Sequence, residues 1–229
     1  MINVDTLYSR IKDLARKDKS GYLTNDEFNR NLVNAQTAIY EYYFSIFEQT
    51  QVVPDRMAPF VVQGSFALPA SGLVALPSLF KHTLRVNFIK VTNVAGAAPT
   101  TSKIEALPIE ATEINLTLSS PVRGPSVANR NIYYRVAGTN LQVFNGGIHG
   151  GVEFEYLREP NTPNRAVTLD SDNDEENYDS ANSTQLEWDS HVEPHFVDVL
   201  LYYYGLPTRQ SEIIQWLSSS AVTKQVREQ

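Results

Sequence analysis

Apolar residues recur at helical spacing at the start of the chain. Leu7, Ile11 and Leu14 fall at i, i+4 and i+7, and charged residues occupy the opposite face. This pattern predicts a short amphipathic helix over about residues 5–17. Gly21 follows soon after, and glycine commonly ends helices because it adopts the left-handed backbone conformation at little cost.

A second helix begins with an unusually complete start signal. Thr24 is a good N-cap, and Glu27 stands three residues later, where a capping box places its acid. Leu23 and Phe28 occupy the two positions of a hydrophobic staple. Apolar positions then continue at helical spacing for about six turns, to about residue 48. Residues 5–48 therefore predict two antiparallel helices joined by a short turn.

In the middle of the chain, apolar and polar residues alternate with a period of two. Four prolines between Val52 and residue 80 predict an irregular crossing segment. Alternating runs follow, with a hairpin turn at Gly138-Thr139-Asn140 and a glycine-rich turn over 145–151. Together they predict an antiparallel sheet with one face in water. The predicted strands are 83–92, 103–105, 114–118, 131–136, 141–144 and 152–156.

The end of the chain returns to helical patterns. A helix is predicted from Asp189 or Ser190 to Tyr204, ended by Gly205 and Pro207, and another over about 209–222. The fold class is therefore α+β. Four segments are predicted: an N-terminal helical hairpin (1–50), a central antiparallel β-sheet or sandwich-like domain (51–164), an acidic mobile loop (165–185), and C-terminal helices (186–229) that pack on the N-terminal helices.

Composition narrows the function classes. A chain of 229 residues can bury a conventional core without disulfides or a structural metal. The absence of cysteine excludes thiolate zinc sites, iron–sulfur clusters and cysteine nucleophiles. No apolar run approaches the roughly 20 residues that span a bilayer. Charged residues interrupt any apolar stretch at the N-terminus, so we expect no signal peptide, no membrane association and a cytosolic origin.

Charge is concentrated in one segment. The net charge is −7, but residues 165–198 hold ten acids and one base, a local charge of −9, so the rest of the chain carries +2. The net charge argues against nonspecific nucleic-acid binding. The concentration of acids makes the first part of the segment a candidate interaction site. The candidate residues are Asp170, Asp172, Asp174, Glu175, Glu176 and Asp179.

Metal binding is the alternative interpretation of the acidic residues. Residues 16–27 match a calcium loop except at its first position, where Arg16 replaces the expected Asp. Residues 170–181 begin like a second such loop but have Glu175 where glycine is required. His191 and His195 stand at i, i+4, a spacing that could chelate a metal from one helical face. A soluble calcium- or metal-dependent binding module is therefore kept as the alternative, although no metal site is predicted.

No pattern predicts an enzyme or a cofactor. There is no Gly-x-Ser-x-Gly nucleophile elbow, and four histidines scattered over turns and caps assemble no triad. The glycine-rich 146–151 lacks the Lys and Ser or Thr of a phosphate loop. Arg123, Arg130 and Arg135, interleaved with two tyrosines, form at most a weak basic patch.

The order of segments resembles virion structural proteins of short-tailed bacteriophages, in particular the crAss-like group. The resemblance spans nearly the whole chain, although each of its motifs is a loose pattern of turn and strand residues. It is carried by KDKSGYLT (17–24) and EFNRNLVNAQ (27–36), KIE (103–105) and TLSSPVRGP (117–125), Tyr134-Arg135 and the Gly138 hairpin, EYLREP (155–160), and LEWD (186–189) before a Glu/His-rich helix.

The resemblance implies a structural role in the phage neck. It implies a head–tail connector, or portal adaptor, that assembles as a ring beneath the portal protein and conducts DNA from capsid to tail. Such rings match the twelve-fold symmetry of the portal. In such a ring, the acids of residues 170–179 would line the lumen or contact a partner ring. The implied partners are further copies of the chain, the portal protein and other neck or tail ring proteins, with double-stranded DNA passing through without specific binding. The implied location is the virion, assembled in the host cytoplasm, and no catalytic residue is implied.

Overall fold

The computed structural model describes residues 1–17, 23–92, 100–146, 150–169, 176–206 and 212–227. The chain divides into two compact units. The helical unit comprises residues 1–59 and 160–229, and the sheet unit comprises residues 60–159. In sequence the sheet unit is therefore an insertion between two parts of the helical unit. The fold is α+β, with N-terminal helices, central antiparallel sheets and C-terminal helices, which confirms the predicted fold class.

The described residues form five α-helices and ten strands. The helices are α1 Val4–Lys17, α2 Asn25–Thr50, α3 Ile114–Ser119, α4 Glu193–Tyr203 and α5 Glu212–Arg227. The strands are β1 Val61–Leu68, β2 Leu73–Ala75, β3 Phe80–Thr92, β4 Thr100–Glu105, β5 Leu107–Pro108, β6 Tyr133–Ala137, β7 Asn140–Phe144, β8 Gly150–Arg158, β9 Val167–Leu169 and β10 Glu176–Tyr178. Short 3₁₀ helices cover Asp55–Phe60 and Ser190–Val192.

The start of α2 follows the predicted signal. Thr24 is the N-cap, and its Oγ1 accepts a hydrogen bond of 3.2 Å from the backbone N–H of Glu27. Leu23 and Phe28 are both buried, as a hydrophobic staple requires. Gly205 has φ +68°, the left-handed conformation predicted to end the helix before it.

An aromatic cluster holds the helical unit together. The indole of Trp188 is fully buried, and its ring centroid lies 5.9 Å from that of Tyr43 and 6.0 Å from that of Phe196. Within this unit α4 packs on α1 and α2, and α5 packs on α2 and α4. A substantial share of the apolar burial of the unit therefore comes from rings contributed by α2, α4 and the segment before α4.

The sheet unit is a sandwich of two four-stranded sheets. One sheet has the order β1-β8-β3-β4 and is antiparallel throughout. The other has the order β2-β7-β6-β5, with one parallel pair, β5 with β6. The apolar core is shared by both sheets, and Val152, Phe154 and Tyr156 of β8 face it at the predicted period of two. Gly138 (φ +61°) and Thr139 form the predicted turn between β6 and β7.

Three sequence predictions require correction in the sheet unit. Of the two predicted forms, a single sheet is wrong and a sandwich-like domain agrees with the two sheets, because the period-two pattern fixes which side chains face inward but not which strands pair. The prolines around β1 flank it rather than interrupt it, so Val61–Leu68 forms an edge strand paired with β8, where an irregular segment was predicted. Residues 114–118 were predicted as a strand, but they form most of α3.

The structural reason for the last error lies in α3 itself. Its Leu116 is 77% exposed, and the side-chain hydroxyl of Ser119 donates a hydrogen bond to the carbonyl of Asn115, 2.7 Å away. Alternation along a sequence produces a strand only where a partner strand accepts its hydrogen bonds. Among the described residues, no strand pairs with residues 114–119, which form one short helix instead.

Candidate interaction site

The predicted acidic site lies on a hairpin. Residues 165–185 were predicted as one mobile loop, but β9 and β10 pair antiparallel, with Leu169 opposite Glu176 and Val167 opposite Tyr178. The prediction that this segment lacks secondary structure is therefore wrong for its described residues. We call residues 167–178 the acidic hairpin. Asp170, Asp172, Asp174 and Glu175 lie between its strands in sequence and outside the described residues.

Two of the six predicted site residues are described, and they differ in role. Glu176 is exposed on β10. Asp179 instead shapes the turn that follows the hairpin. Its Oδ1 accepts hydrogen bonds from the backbone N–H groups of Ala181 (3.0 Å) and Asn182 (3.2 Å), and its Oδ2 accepts one from Nδ2 of Asn182 (2.6 Å). These bonds lower the pKa of Asp179 below its ordinary value because they stabilise the charged form.

The acidic hairpin is attached to the helices through a buried arginine. The side chain of Arg165, only 7% exposed, donates to Oδ1 of Asp5 from Nε (2.9 Å) and Nη2 (2.8 Å), and from Nη1 to Oδ1 of Asn25 (3.0 Å). Its guanidinium also lies 4.1 Å above the ring centroid of Tyr8. A buried cation is tolerated here because a carboxylate, an amide oxygen and an aromatic face surround it.

The backbone of Arg165 is held as firmly as its side chain. Its N–H donates to Oδ1 of Asn29 (2.8 Å), and its carbonyl accepts from Nδ2 of both Asn25 and Asn29 (3.0 Å each). Asn25 and Asn29 lie one turn apart on α2, which places both amides on one face of the helix. The residue that leads into β9 is therefore fixed to α2 by its own main chain.

A second set of polar contacts fixes the other end of the hairpin. Gln185 donates from Nε2 to the hydroxyl of Tyr178 (2.7 Å), and its Oε1 accepts from the backbone N–H of Val4 at the start of α1 (2.8 Å). The hydroxyl of Ser183 bridges the backbone N–H of Ala166 and the carbonyl of Asp179. Both strands of the acidic hairpin therefore rest on a base that is tied to α1 and α2.

This geometry presents negative charge rather than reactive groups. No known protein family matches the chain, and no curated protein matches it. Among the described residues, no group of three His, Asp or Glu side chains is close enough to hold a metal ion. None of the described helices is both long and apolar enough to cross a bilayer.

The two histidines of the predicted pair differ in burial. His191 is exposed in the 3₁₀ helix, whereas His195 is half-buried on α4. Nδ1 of His195 lies 2.7 Å from the hydroxyl of Tyr43, which accepts a hydrogen bond of 2.6 Å from Nη1 of Arg56. Burial and the neighbouring Arg56 lower the pKa of His195. His195 therefore belongs to a polar chain with Tyr43 and Arg56 in the helical unit.

The other candidate motifs fall partly outside the described residues. The centre of the first calcium-like loop, residues 18–22, and His149 are among them. Of its last two candidate ligands, Thr24 caps α2 by accepting a hydrogen bond from the backbone N–H of the other, Glu27. Arg135 on β6 donates from Nε to Oε1 of Gln142 on β7 (2.8 Å), and Arg123 and Arg130 are exposed in the loop before β6.

Sequence reasoning missed the residues that build the base of the site. One signal was present, because Arg165 is the single base in a segment with ten acids. A single cation among many acids indicates a specific interaction, and here Arg165 is buried against Asp5. Arg56 offered no comparable signal, since it lies in the proline-rich segment that the pattern left without structure. Its contact with Tyr43 depends on how the chain folds back after α2.

Proposed function

We propose that the chain is a virion structural protein that forms a ring in the neck of a phage, as an adaptor between portal and tail that conducts DNA. The observation that carries the proposal is the acidic hairpin on its fixed base. The base is tied to α1 and α2, Glu176 is exposed on β10, and the sequence places four more carboxylates between the two strands. Such a concentration of carboxylates is suited to repel a phosphate backbone or to contact a basic partner. The resemblance of nearly the whole chain to neck proteins of short-tailed phages supports the same role.

In this role the partners are other copies of the chain, the portal protein and the neighbouring neck or tail rings. The ring has the twelve-fold symmetry of the portal, and the interface between its subunits is heterologous and closes on itself. Double-stranded DNA passes without specific contacts, and neither a cofactor nor a membrane takes part. The protein acts in the virion after assembly in the host cytoplasm.

The structure sharpens the experiment that tests this proposal. Asp179 holds the turn after the hairpin, so it should be kept while the five other acids are neutralised to Asn or Gln. The matched control is Asp179→Asn, which alters the turn and leaves the other five charges. We expect the five-fold variant to be incorporated into particles with reduced genome delivery or reduced binding to a neighbouring ring. Normal assembly together with normal delivery would refute the role given to the acidic hairpin.

The metal-dependent alternative makes a different prediction. A calcium- or zinc-binding module gives saturable heat on titration of the purified chain with either ion, whereas a ring subunit gives none. Asp179 is one of two described acids within the second calcium-like loop, and both of its side-chain oxygens already accept hydrogen bonds within the protein. No observation on the described residues favours the alternative.

A further inference from the structure

The strands at the edges of the sandwich differ in how well they are protected against pairing with another chain. Natural proteins protect exposed edge strands by keeping them short or by adding charged residues, proline or a bulge. β2 has three residues, β5 has two and ends in Pro108, and β4 contains Lys103 and Glu105. The eight residues of β1 include no charged residue and no proline, and they pair with β8 without a register shift. β1 is therefore the least protected of these edges.

β1 is a well-formed strand although it contains a glycine. Glycine in the interior of a strand weakens it, because it offers no side chain to pack. In β1 the ring of Phe66 fills the space beside Gly64, since a Cβ on Gly64 would lie 2.7 Å from Cε2 of that ring. An aromatic ring that covers an edge glycine helps to hold such a strand in register. β1 therefore keeps eight consecutive residues extended at the edge of its sheet.

β4 forms the opposite edge of the same sheet, β1-β8-β3-β4. Every residue of β4 except Ile104 is exposed, and Gln63, Ser65 and Ala67 are exposed on β1. The described part of the chain places no further strand beside β1 or β4. Alternate backbone N–H and C=O groups of both strands therefore point away from the sheet without a strand partner.

The two edges of this sheet match each other in direction and length. Because the sheet has four strands and each neighbouring pair is antiparallel, β1 and β4 run in opposite directions. The β4 edge of one subunit therefore meets the β1 edge of a copy in the same orientation as an antiparallel pair. All six residues of β4 fit against the eight of β1, and Thr100, Thr101 and Ile104 have the branched side chains that favour strands.

The charges of β4 are compatible with this pairing. Lys103 already pairs with Glu153 on β8, and Glu105 pairs with Arg85 on β3, within one subunit. β1 brings no charge that opposes either pair. Pairing of β1 with a second β1 instead stops at two subunits and leaves both β4 edges open. The edges of the sheet therefore favour contact between β1 and β4.

We propose that β1 of one subunit pairs with β4 of a second copy of this chain, so that the sheet continues from subunit to subunit. Such a contact joins two different edges, so it is heterologous and can propagate until a ring closes. The inference rests on the proposed function, because it supplies the subunit contact of that ring. Main-chain hydrogen bonds supply the affinity when a strand is added to a sheet edge. We therefore expect self-association to depend only weakly on the salt concentration.

Engineered disulfides test this contact, because the chain contains no cysteine of its own. Within one subunit β8 and β3 separate β1 from β4 by about 14 Å, so a disulfide between β1 and β4 must join two chains. Ser65, Ala67 and Thr101 all lie on the side of the sheet that faces away from the sandwich core. Only two registers match the faces and pair all of β4, and they place Thr101 opposite Ala67 or opposite Ser65. The test variants are Ala67→Cys with Thr101→Cys and Ser65→Cys with Thr101→Cys.

Oxidation of the purified full-length variants, followed by non-reducing gel electrophoresis, is the measurement. We expect one of the two double variants to form a ladder of cross-linked oligomers that ends at the closed ring. The matched control is Ala67→Cys with Ser102→Cys, which moves one cysteine to the neighbouring exposed residue on the other side of the sheet, and we expect no ladder from it. The single variants Ala67→Cys and Ser65→Cys detect pairing of β1 with itself, which gives cross-linked dimers.

Three outcomes would overturn the proposal. They are the absence of cross-linked chains in both double variants, equal cross-linking in the control, and dimers formed as readily by a single variant as by the double variant that contains it.

A reversible measurement complements the disulfides. Ser65→Lys places on β1 the kind of charge that protects natural edge strands from pairing. Asn87→Lys is the matched control, because Asn87 lies on β3 in the middle of the sheet and both residues are cross-strand neighbours of Glu153. In sedimentation velocity of the full chain we expect Ser65→Lys to weaken self-association by at least about tenfold and Asn87→Lys to weaken it much less. An equal effect of the two lysines, or a wild-type chain that is monomeric at every accessible concentration, would contradict the contact.

Failure of this inference is distinguishable from failure of the proposed function. A chain that enters virions but forms none of the expected cross-links refutes the strand contact alone. A chain that is absent from virions refutes the proposed function.

Discussion

The two units of the protein differ in formal charge and in the kind of side chain that they bury. The helical unit carries a formal charge of −9 and buries polar groups, most clearly Arg165 with its asparagine and aspartate partners. The sheet unit carries +2, contains no aspartate, and has a core of aliphatic and aromatic side chains. The difference shows that the charge asymmetry of the sequence is an asymmetry between two folded units.

We expect the largest effect from a substitution that disrupts the apolar core of the sheet unit. Phe154 is buried, and its ring centroid lies 4.9 Å from that of Tyr156 and 5.8 Å from that of Phe80. We expect Phe154→Ala to lower the free energy of unfolding by about 3–5 kcal/mol, because a large cavity replaces the ring. Hydrogen exchange measured on peptides from β3 and β8 reports the loss. The exposed Leu107→Ala is the control, and a similar loss in both variants would contradict the assignment of the core.

We expect the next largest effect from a substitution that disrupts the polar base of the acidic hairpin. Arg165→Met leaves Asp5 and Asn25 without their cation, and we expect a loss of about 2–3 kcal/mol because Asp5 keeps partial access to water. Both tryptophans, Trp188 and Trp216, lie in the helical unit, so tryptophan fluorescence during urea unfolding reports that unit alone.

The control for Arg165 is an exposed ion pair of the same unit. Arg10 pairs with Glu193 at 2.8 Å, but half of the arginine side chain is exposed. Arg10→Met should therefore cost less than about 1 kcal/mol. If the two methionine variants lose the same stability, Arg165 does not act as a buried anchor.

The smallest effect concerns pH and the helical unit only. Since burial and Arg56 lower the pKa of His195 below its ordinary 6.5, the unfolded chain takes up the proton first as the pH falls. The neutral imidazole lies 2.7 Å from the hydroxyl of Tyr43, and its contribution to stability is present above pH 6.5 and is lost as the pH decreases below it. Asp198 and Glu212 oppose this shift, and His191 adds to it.

His195→Gln should reduce the dependence of the unfolding free energy on pH between about 5 and 7. His191→Gln is the matched control, because it removes an exposed imidazole four residues away. The measurement is urea unfolding followed by tryptophan fluorescence at several pH values. An unchanged slope in His195→Gln would contradict the role of this hydrogen-bonded chain.

The sequence predicted what depends on local patterns. The caps of α2 and α4 follow from Thr24 and Gly205, and the inward residues of β8 follow from its alternation. The division into two sheets did not follow, because strand pairing depends on contacts between distant residues. Residues 114–119 show the same limit, since alternation without a partner strand produced a helix.

The acidic composition of the candidate site was predicted from the sequence, but its hairpin structure was not. The acids of residues 170–179 were identified by charge, whereas the hairpin that carries them depends on residues distant in sequence. Arg165 meets Asp5 from the other end of the chain, and Gln185 meets Val4. Asp179 looked like its neighbours in sequence but holds a turn. Local composition identifies such a segment, and only tertiary contacts separate its structural acids from its exposed ones.

Native mass spectrometry of the full chain at low ionic strength, alone and with a phage portal protein, tests the central proposal most directly. The proposal is that copies of the chain assemble into a closed ring. We expect a single closed oligomer whose subunit number matches the twelve-fold portal. A chain that remains monomeric both alone and with the portal protein would contradict it.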